Sequence, residues 1–330
     1  MAEAWTAIGP TAWPTPWIVL AAAVAEAAVG YPDALHRRLP HPVVWLGGAI
    51  STLERWWNRP ERPPPARRLL GVATVVLVTG AAWVAGFALQ SACARLPFGV
   101  VAVVAAGTLG LAQRSLYDHV AAVLRPLAAG DLDRARAAVG RIVGRDVAAL
   151  DDRGVAAAAL ESLAESFNDG VIAPMFWLAL GGLGGLFAYK ALNTADSLIG
   201  HKEPRWRDFG WAAARADDVF NLIPARLAGA LIAAASPAAW RTMLRDAGKH
   251  ASPNAGWPEA AMAGALGVRL GGAATYDGVR HDRPAFGDGG EPAAEDLRAG
   301  LRRYAWACAA AWAILAATGA AMSLETTWPR

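Results

Sequence analysis

About 20 predominantly apolar residues carry a helix across a bilayer, and this chain supplies such runs repeatedly. Leu69 to Gln90 and Tyr304 to Leu324 are uninterrupted, and Phe98 to Leu111 forms a third run that extends toward Tyr117. Three further runs are compromised. Trp17 to Val29 is short and carries Glu26. Val171 to Tyr189 is rich in glycine, at Gly181, Gly182, Gly184 and Gly185. Val219 to Ala235 contains Asn221, Pro224 and Arg226. Polar or helix-breaking residues at such depth usually mark function. Backbone groups in lipid must be satisfied within the protein. The expected fold class is therefore all-α: a polytopic integral membrane protein with about four to six membrane helices and cytoplasmic helical loops.

Composition agrees. Hydrophobic residues make up 55% of the 330, charged residues 18%, and mean hydropathy is +0.27. The 15 Trp suit membrane interfaces. A net charge of +3, with basic residues scattered, excludes nucleic acid as a partner. Cys93 and Cys308 form no CxxC pair, so neither a thiolate metal site nor a disulfide framework is expected. The N-terminus has no positive n-region and reads as an uncleaved anchor. Without repeats or low-complexity linkers, residues 1–330 read as one domain, with a motif-bearing core of about 41–278.

Orientation follows from Arg and Lys. The segment between the first two runs holds seven Arg, the next only Arg95, and the one between the third and fourth runs again seven. The two Arg-rich segments are thus cytoplasmic and the N-terminus is outside. Simple alternation then places the 190–218 segment outside, although it carries Lys190, Lys202, Arg205, Arg207 and Arg215. The conflict resolves if the glycine-broken fourth run re-enters, or lies covered by protein without a full crossing.

Between the runs, Arg59 to Pro65 is a Pro-rich turn and Arg280 to Pro292 a loop. Asp131 to Gly144 and Asp151 to Asn168 have helical patterns, the second capped by Asp151 or Asp152. In that second helix Glu161, Glu165 and Asp169 stand at i, i+4 and i+8, along one face. A solvated acidic face is the ordinary outcome of such a run. Here it adjoins an apolar span, and a Mg²⁺ bridging carboxylates to nucleotide phosphates would relieve the repulsion. The segment from Tyr189 to Arg226 mixes Lys190, Asn193, Asp196, Lys202, Arg215, Asp217, Asp218, Asn221 and Arg226. Acids that hold a metal beside cations that meet phosphate give this pattern, as does a salt-bridged loop. Asp217 and Asn221 are spaced to share a helix face. Ser252 to Gly272 opens with turn chemistry, places Pro258 in the first turn of a helix beginning near Glu259, and by itself reads as packing. His41, before Pro42, reads by itself as structural.

Taken in order, His41-Pro42-Val43, Glu165 to Gly170, Asn193 to Gly200, Phe209 to Arg226 and Ser252 to Gly267 resemble the CobD/CbiB family of adenosylcobinamide-phosphate (cobinamide) synthases. The likeness runs from Glu26 to about Gly278, and the last two blocks are long and specific. Two departures stand out. Ser166 occupies a position where the family often has Asn, and Gly30-Tyr31-Pro32 stands where it often has GDP.

The resemblance implies an inner-membrane enzyme of cobalamin biosynthesis with its active site facing the cytoplasm. It would form an amide between the propionate of adenosylcobyric acid and aminopropanol or its phosphate, at the expense of ATP and with Mg²⁺. A carboxylate needs activation, such as an acyl phosphate, before an amine will displace its oxygen. The candidate set is then Glu161, Glu165 and Asp169 for catalysis. For substrate and ATP it is His41, Lys190, Asn193, Lys202, Arg215, Asn221, Arg226, Asn254 and Glu259. For metal it is Asp169, Asp196, Asp217 and Asp218. Membrane lipid and other cobalamin-pathway enzymes are the expected partners. A corrinoid or small-molecule transporter is the alternative, suggested by Glu26, Arg226 and the broken fourth run. A Mg²⁺–diphosphate transferase is a third class, since paired aspartates also bind diphosphates.

Overall fold

The structure, a computed structural model, describes residues 15–31, 40–276 and 278–327. Pro32 of the Gly30-Tyr31-Pro32 departure, and the N-terminal stretch for which an outside location is expected, lie outside the described residues. The chain is an all-α polytopic membrane protein. Four helical stretches are long and apolar enough to cross a bilayer: Pro64–Cys93, Gly99–Ala128, Asp152–Ile199 and Ala294–Glu325. The expected spans at Trp17 to Val29 and Val219 to Ala235 correspond to shorter apolar helices, Thr15–Val29 and Leu222–Ala233. At 1.5 Å per residue the latter, with 12 residues, reaches only about 18 Å, against about 30 Å of hydrocarbon.

The chain forms two compact units. The first comprises 1–112, 173–220 and 314–330. It contains α1 (Thr15–Val29), α2 (Pro42–Trp57), α3 (Pro64–Cys93), α4 (Gly99–Thr108), α8 (Ala173–Ile199) and α9 (Trp211–Phe220). The second comprises 113–172 and 221–313. It contains α5 (Gln113–Ala128), α6 (Leu132–Val139), α7 (Asp152–Phe167), α10 (Leu222–Ala233), α11 (Pro237–Asp246) and α12 (Gly256–Leu266). The last helix, α13 (Ala294–Thr327), contributes to both.

In the first unit α8 packs mainly on α3. Ile50, Val75, Val78, Ala191, Leu192, Ile199 and Phe209 form the core. The close approach depends on small residues: a Cβ on Gly86 would run into the Leu183 carbonyl. The fourth apolar run is interrupted where its glycines suggest. Gly182 adopts φ 59°, ψ −151°, a conformation essentially reserved for glycine, and divides α8 into two helical halves. The amide freed at Leu183 donates to Oε1 of Gln90 on α3 at 2.7 Å. The apolar window of Asp152–Ile199 is 61% buried, against 22% for Ala294–Glu325. Most of it is therefore covered by protein.

In the second unit Asp151 caps α7, its Oδ1 accepting from the Gly154 amide at 2.8 Å. The Asp131–Gly144 helix is shorter than its pattern, ending as α6 at Val139. Helix α12 begins at Gly256, so Pro258 sits in its first turn, and nearly every residue of it is buried against α10 and α11. The segment expected as loop at Arg280 to Pro292 is partly strand. It folds back as two small antiparallel pairs, β1 (Leu270–Gly271) with β4 (Ala285–Phe286) and β2 (Ala274–Tyr276) with β3 (Val279–His281). Strands this short leave almost no periodic signal in the sequence.

Candidate functional site

The candidate residues fall into two groups, one in each unit. In the first unit, Lys190, Asn193 and Asp196 follow one another at helical spacing along the second half of α8, which packs on α9. Helix α9 carries Arg215, Asp217 and Asp218. Asn193 Nδ2 donates to Asp217 Oδ1 at 3.5 Å, and Arg215 pairs with Asp218 at 3.4 Å. Burial pushes the Asp218 carboxyl up, against the opposing charges of Arg215 and Lys202. Lys202 itself is exposed on the connection from α8 to α9. Lys190, Asn193, Asp196, Asp217 and Asp218 are half-buried, and Arg215 is exposed.

One strong ion pair of this unit lies outside the candidate set. Glu54 on α2 is 5% exposed and receives two hydrogen bonds from Arg205, at 3.1 and 3.0 Å, and one from Asn58 at 3.0 Å. Burial raises its pKa, but the bonds from Arg205 and Asn58 and the Arg205 charge outweigh that and hold the carboxyl below its ordinary range. This network ties the 201–210 connection to α2. His41 caps the same helix: its Nδ1 accepts from the Val43 amide at 3.3 Å, and its ring meets Tyr31 edge to face.

In the second unit Glu161 and Glu165 line one cavity, while Asp169 falls away from their stripe. Four residues advance the helix by about 400°, so each step drifts 40° from the last. Residues Asn168–Ile172 then widen into a π turn. Glu161 is buried, Glu165 exposed, and Asp169 in the π turn. Such turns are frequent at functional sites. Glu161 accepts from the Gly271 amide at 2.9 Å, from Arg283 at 3.1 Å and from Arg145. Pinned by two guanidiniums and an amide, it anchors the β1 strand to α7.

Beside it lies a cavity of about 170 Å³ lined by Arg145, Glu161, Ser162, Glu165, Glu259, Tyr276 and Arg283, among others. Glu259, on α12, is 2% exposed. Its Oε1 is 3.8 Å from His250 Nε2 and its Oε2 4.0 Å from Arg283, and Oε2 has no hydrogen-bond partner among the described residues. Burial, then the charges of Glu165 and Glu161, push this carboxyl well up, against Arg283 and Arg145.

Elsewhere in this unit Arg226 lies over the Trp257 ring at 4.6 Å and reaches the Asn254 side chain at 3.4 Å. Asn168 donates to Asp169 at 2.7 Å and to Asn221 at 2.9 Å. Asn221 does not share a helix face with Asp217, because α9 ends at Phe220 and α10 starts at Leu222. Asp246, 0% exposed, gathers Arg245, Lys249 and the Gly287 amide. The Arg245 bonds, foremost, hold its carboxyl far below the ordinary range. Arg145, Tyr276, Arg283, Asn168, Glu54 and Asp246 are not in the sequence-derived set. Asn168 carried a local signal, as the Asn following the acidic helix, and Glu54 stands in the polar segment that His41 opens.

Among the described residues, no three His, Cys, Asp or Glu side chains come together in a group that could hold a metal ion. Mg²⁺ does not need an all-protein cage, since it keeps waters and is commonly held by one or two carboxylates plus phosphates. Asp217 and Asp218, with Asp196 one helix away, fit that donor set.

A family model described as CobD/Cbib protein matches residues 19–304. A protein of Rhodobacter capsulatus is 51% identical over 286 residues, covering 84% of this chain and 89% of that relative. One from a Sinorhizobium species is 48% identical over 304 residues, covering 88% and 94%. One from Rhizobium meliloti is 44% identical over 303 residues, covering 88% and 93%. All three carry the name cobalamin biosynthesis protein CobD. No solved structure matches. On residues 19–304, which take in every polar cluster described above, the chain belongs to the CobD/CbiB family.

Proposed function

We propose that this protein acts in cobalamin biosynthesis, joining (R)-1-amino-2-propanol or its O-phosphate to the propionate carboxylate of adenosylcobyric acid in an ATP-dependent amide synthesis. The observation that carries this reading is the family match over residues 19–304. The residues supply the two kinds of group the reaction needs. Lys190 and Arg215 suit ATP phosphates, and Asp217 and Asp218, with Asp196, would hold Mg²⁺, which neutralises phosphate charge during transfer. Glu165 and Glu259 offer carboxylates to an incoming ammonium. The reaction belongs at the cytoplasmic face of an inner membrane, where ATP is, with lipid and other pathway enzymes as neighbours.

The test is a product assay of the detergent-purified protein with adenosylcobyric acid, ATP, Mg²⁺ and each amine in turn. An ATP-dependent amide, identified by mass, is expected; its absence with both amines sinks the reading. Labelling of Arg153→Cys and Arg207→Cys from the same side of sealed vesicles is expected, and labelling from opposite sides removes the common cytoplasmic face.

One observation favours transport as the second reading. The break at Gly182, with its freed amide taken by Gln90, is of the kind found in discontinuous membrane helices. Uptake of labelled cobinamide into proteoliposomes, without ATP-dependent product, would select it.

A further inference from the structure

The cavity in the second unit holds a buried carboxyl with an unmade hydrogen bond. Among the described residues Glu259 Oε2 makes no hydrogen bond although the residue is 2% exposed, and its contact with Arg283 is long, at 4.0 Å. Buried polar atoms are almost always paired, and each exception calls for an explanation; Asn168 Oδ1 is the other one among the described residues. The two guanidiniums of the lining are both engaged by Glu161. Three carboxylates, Glu161, Glu165 and Glu259, therefore share the lining with two guanidiniums.

We propose that this cavity binds the primary ammonium head of a small amine, with Glu259 and Glu165 as its carboxylate partners. The proposal rests on amide formation, in which an amine must be delivered, and it assigns that amine to the second unit.

A divalent cation that keeps its waters would meet the same carboxylates, and its displacement of the amine is the outcome that separates the two. An ammonium carries three diverging donors, and so meets carboxylates that are spread around a cavity. A phosphate fits poorly, since its charge would meet a lining in which carboxylates outnumber guanidiniums. Ser162, Ser166 and the Tyr276 hydroxyl leave hydrogen-bonding capacity for a hydroxyl on the same ligand. A volume of about 170 Å³ suits a ligand of a few heavy atoms.

Binding is linked to a proton. The charged groups facing Glu259 are Glu161 and Glu165 from α7, Arg145 ahead of it, Arg283 from the hairpin segment, and His250 beyond α11. Tyr276 shares the cavity. Burial and the two neighbouring carboxylates favour the protonated form of Glu259 in the empty cavity. An ammonium there reverses the balance. The O–H bond of Glu259 breaks, its proton leaves to solvent, and the carboxylate pairs with the intact ammonium.

The test is calorimetric titration of the full-length protein in detergent with 1-amino-2-propanol, without ATP or corrinoid, in two buffers of different ionisation enthalpy. Saturable binding is expected for the amine and none for 1,2-propanediol, with up to one proton released per amine bound. Glu259→Gln should weaken binding at least tenfold and abolish the proton release, while Glu165→Gln weakens it severalfold. Unchanged affinity in Glu259→Gln, or displacement of the amine by stoichiometric Mg²⁺, overturns the proposal. Should Glu259→Gln fail to fold, unchanged affinity in Glu165→Gln overturns it equally. Product assays keep the two readings apart. Amine binding through Glu259 with no amide formed sinks the synthase reading alone. Amide formation with an unaltered KM for the amine in Glu259→Gln sinks this one alone.

Discussion

The two polar clusters hold their charges differently. Between α8 and α9 the groups are half-buried or exposed and the pairs long, at 3.5 Å for Asn193–Asp217 and 3.4 Å for Arg215–Asp218. In the second unit Glu161 is locked by Arg145, Arg283 and the Gly271 amide. Partly exposed charges on adjoining helices lie within reach of a ligand. A buried carboxylate with both oxygens engaged holds chain segments together. Glu259 departs from both patterns, being buried like Glu161 yet unsatisfied.

The largest expected effect tests the structural side of this contrast. Glu161→Gln leaves two guanidiniums facing a neutral amide inside the protein, and breaking buried pairs typically costs about 3–5 kcal/mol. Thermal unfolding in detergent should drop sharply. A melting temperature equal to wild type would return Glu161 to the list of available acids.

Next comes Asp217→Asn in the first unit. It should leave unfolding almost untouched and lower amide formation by roughly a hundredfold, as usual for electrostatic groups at a transition state. Near-normal turnover at saturating Mg²⁺ would make Asp217 a salt-bridge residue.

The pH dependence of stability should differ in sign between Glu54 and Glu259. Glu54 is held below its ordinary range. Its contribution is present above that range and fades as falling pH titrates the folded protein. Glu259 is held well above. Its contribution is whole at low pH and lost as pH rises through the folded-state value. Glu54→Gln should flatten the acid limb of a melting-temperature profile and Glu259→Gln the alkaline limb. Identical effects of the two would dissolve the distinction.

The smallest effect is expected at Lys190. If it contacts ATP phosphates, Lys190→Ala raises the KM for ATP severalfold with little change in turnover or in the KM for the amine. An unaltered ATP dependence in both Lys190→Gln and Lys190→Arg would leave it as an anchor at the end of the apolar run.

The sequence by itself determined the membrane class, the positions of the long apolar helices and the family. Those properties reside in runs of side chains and in contiguous blocks such as Phe209 to Arg226, where each residue reports on its neighbours. It also located the interruption of the fourth run, because only glycine tolerates the conformation at Gly182. Tertiary structure alone decided which acids are pinned and which are not. Arg145 and Arg283 stand 138 positions apart, one before α7 and one beyond the β2–β3 pair, and meet only because both segments fold onto Glu161. The i, i+4, i+8 spacing of Glu161, Glu165 and Asp169 suggests one acidic stripe. Neighbouring elements bury the first, leave the second exposed, and a π turn carries the third. Burial and pairing are set by what packs against a helix, and that information is carried by residues far away along the chain.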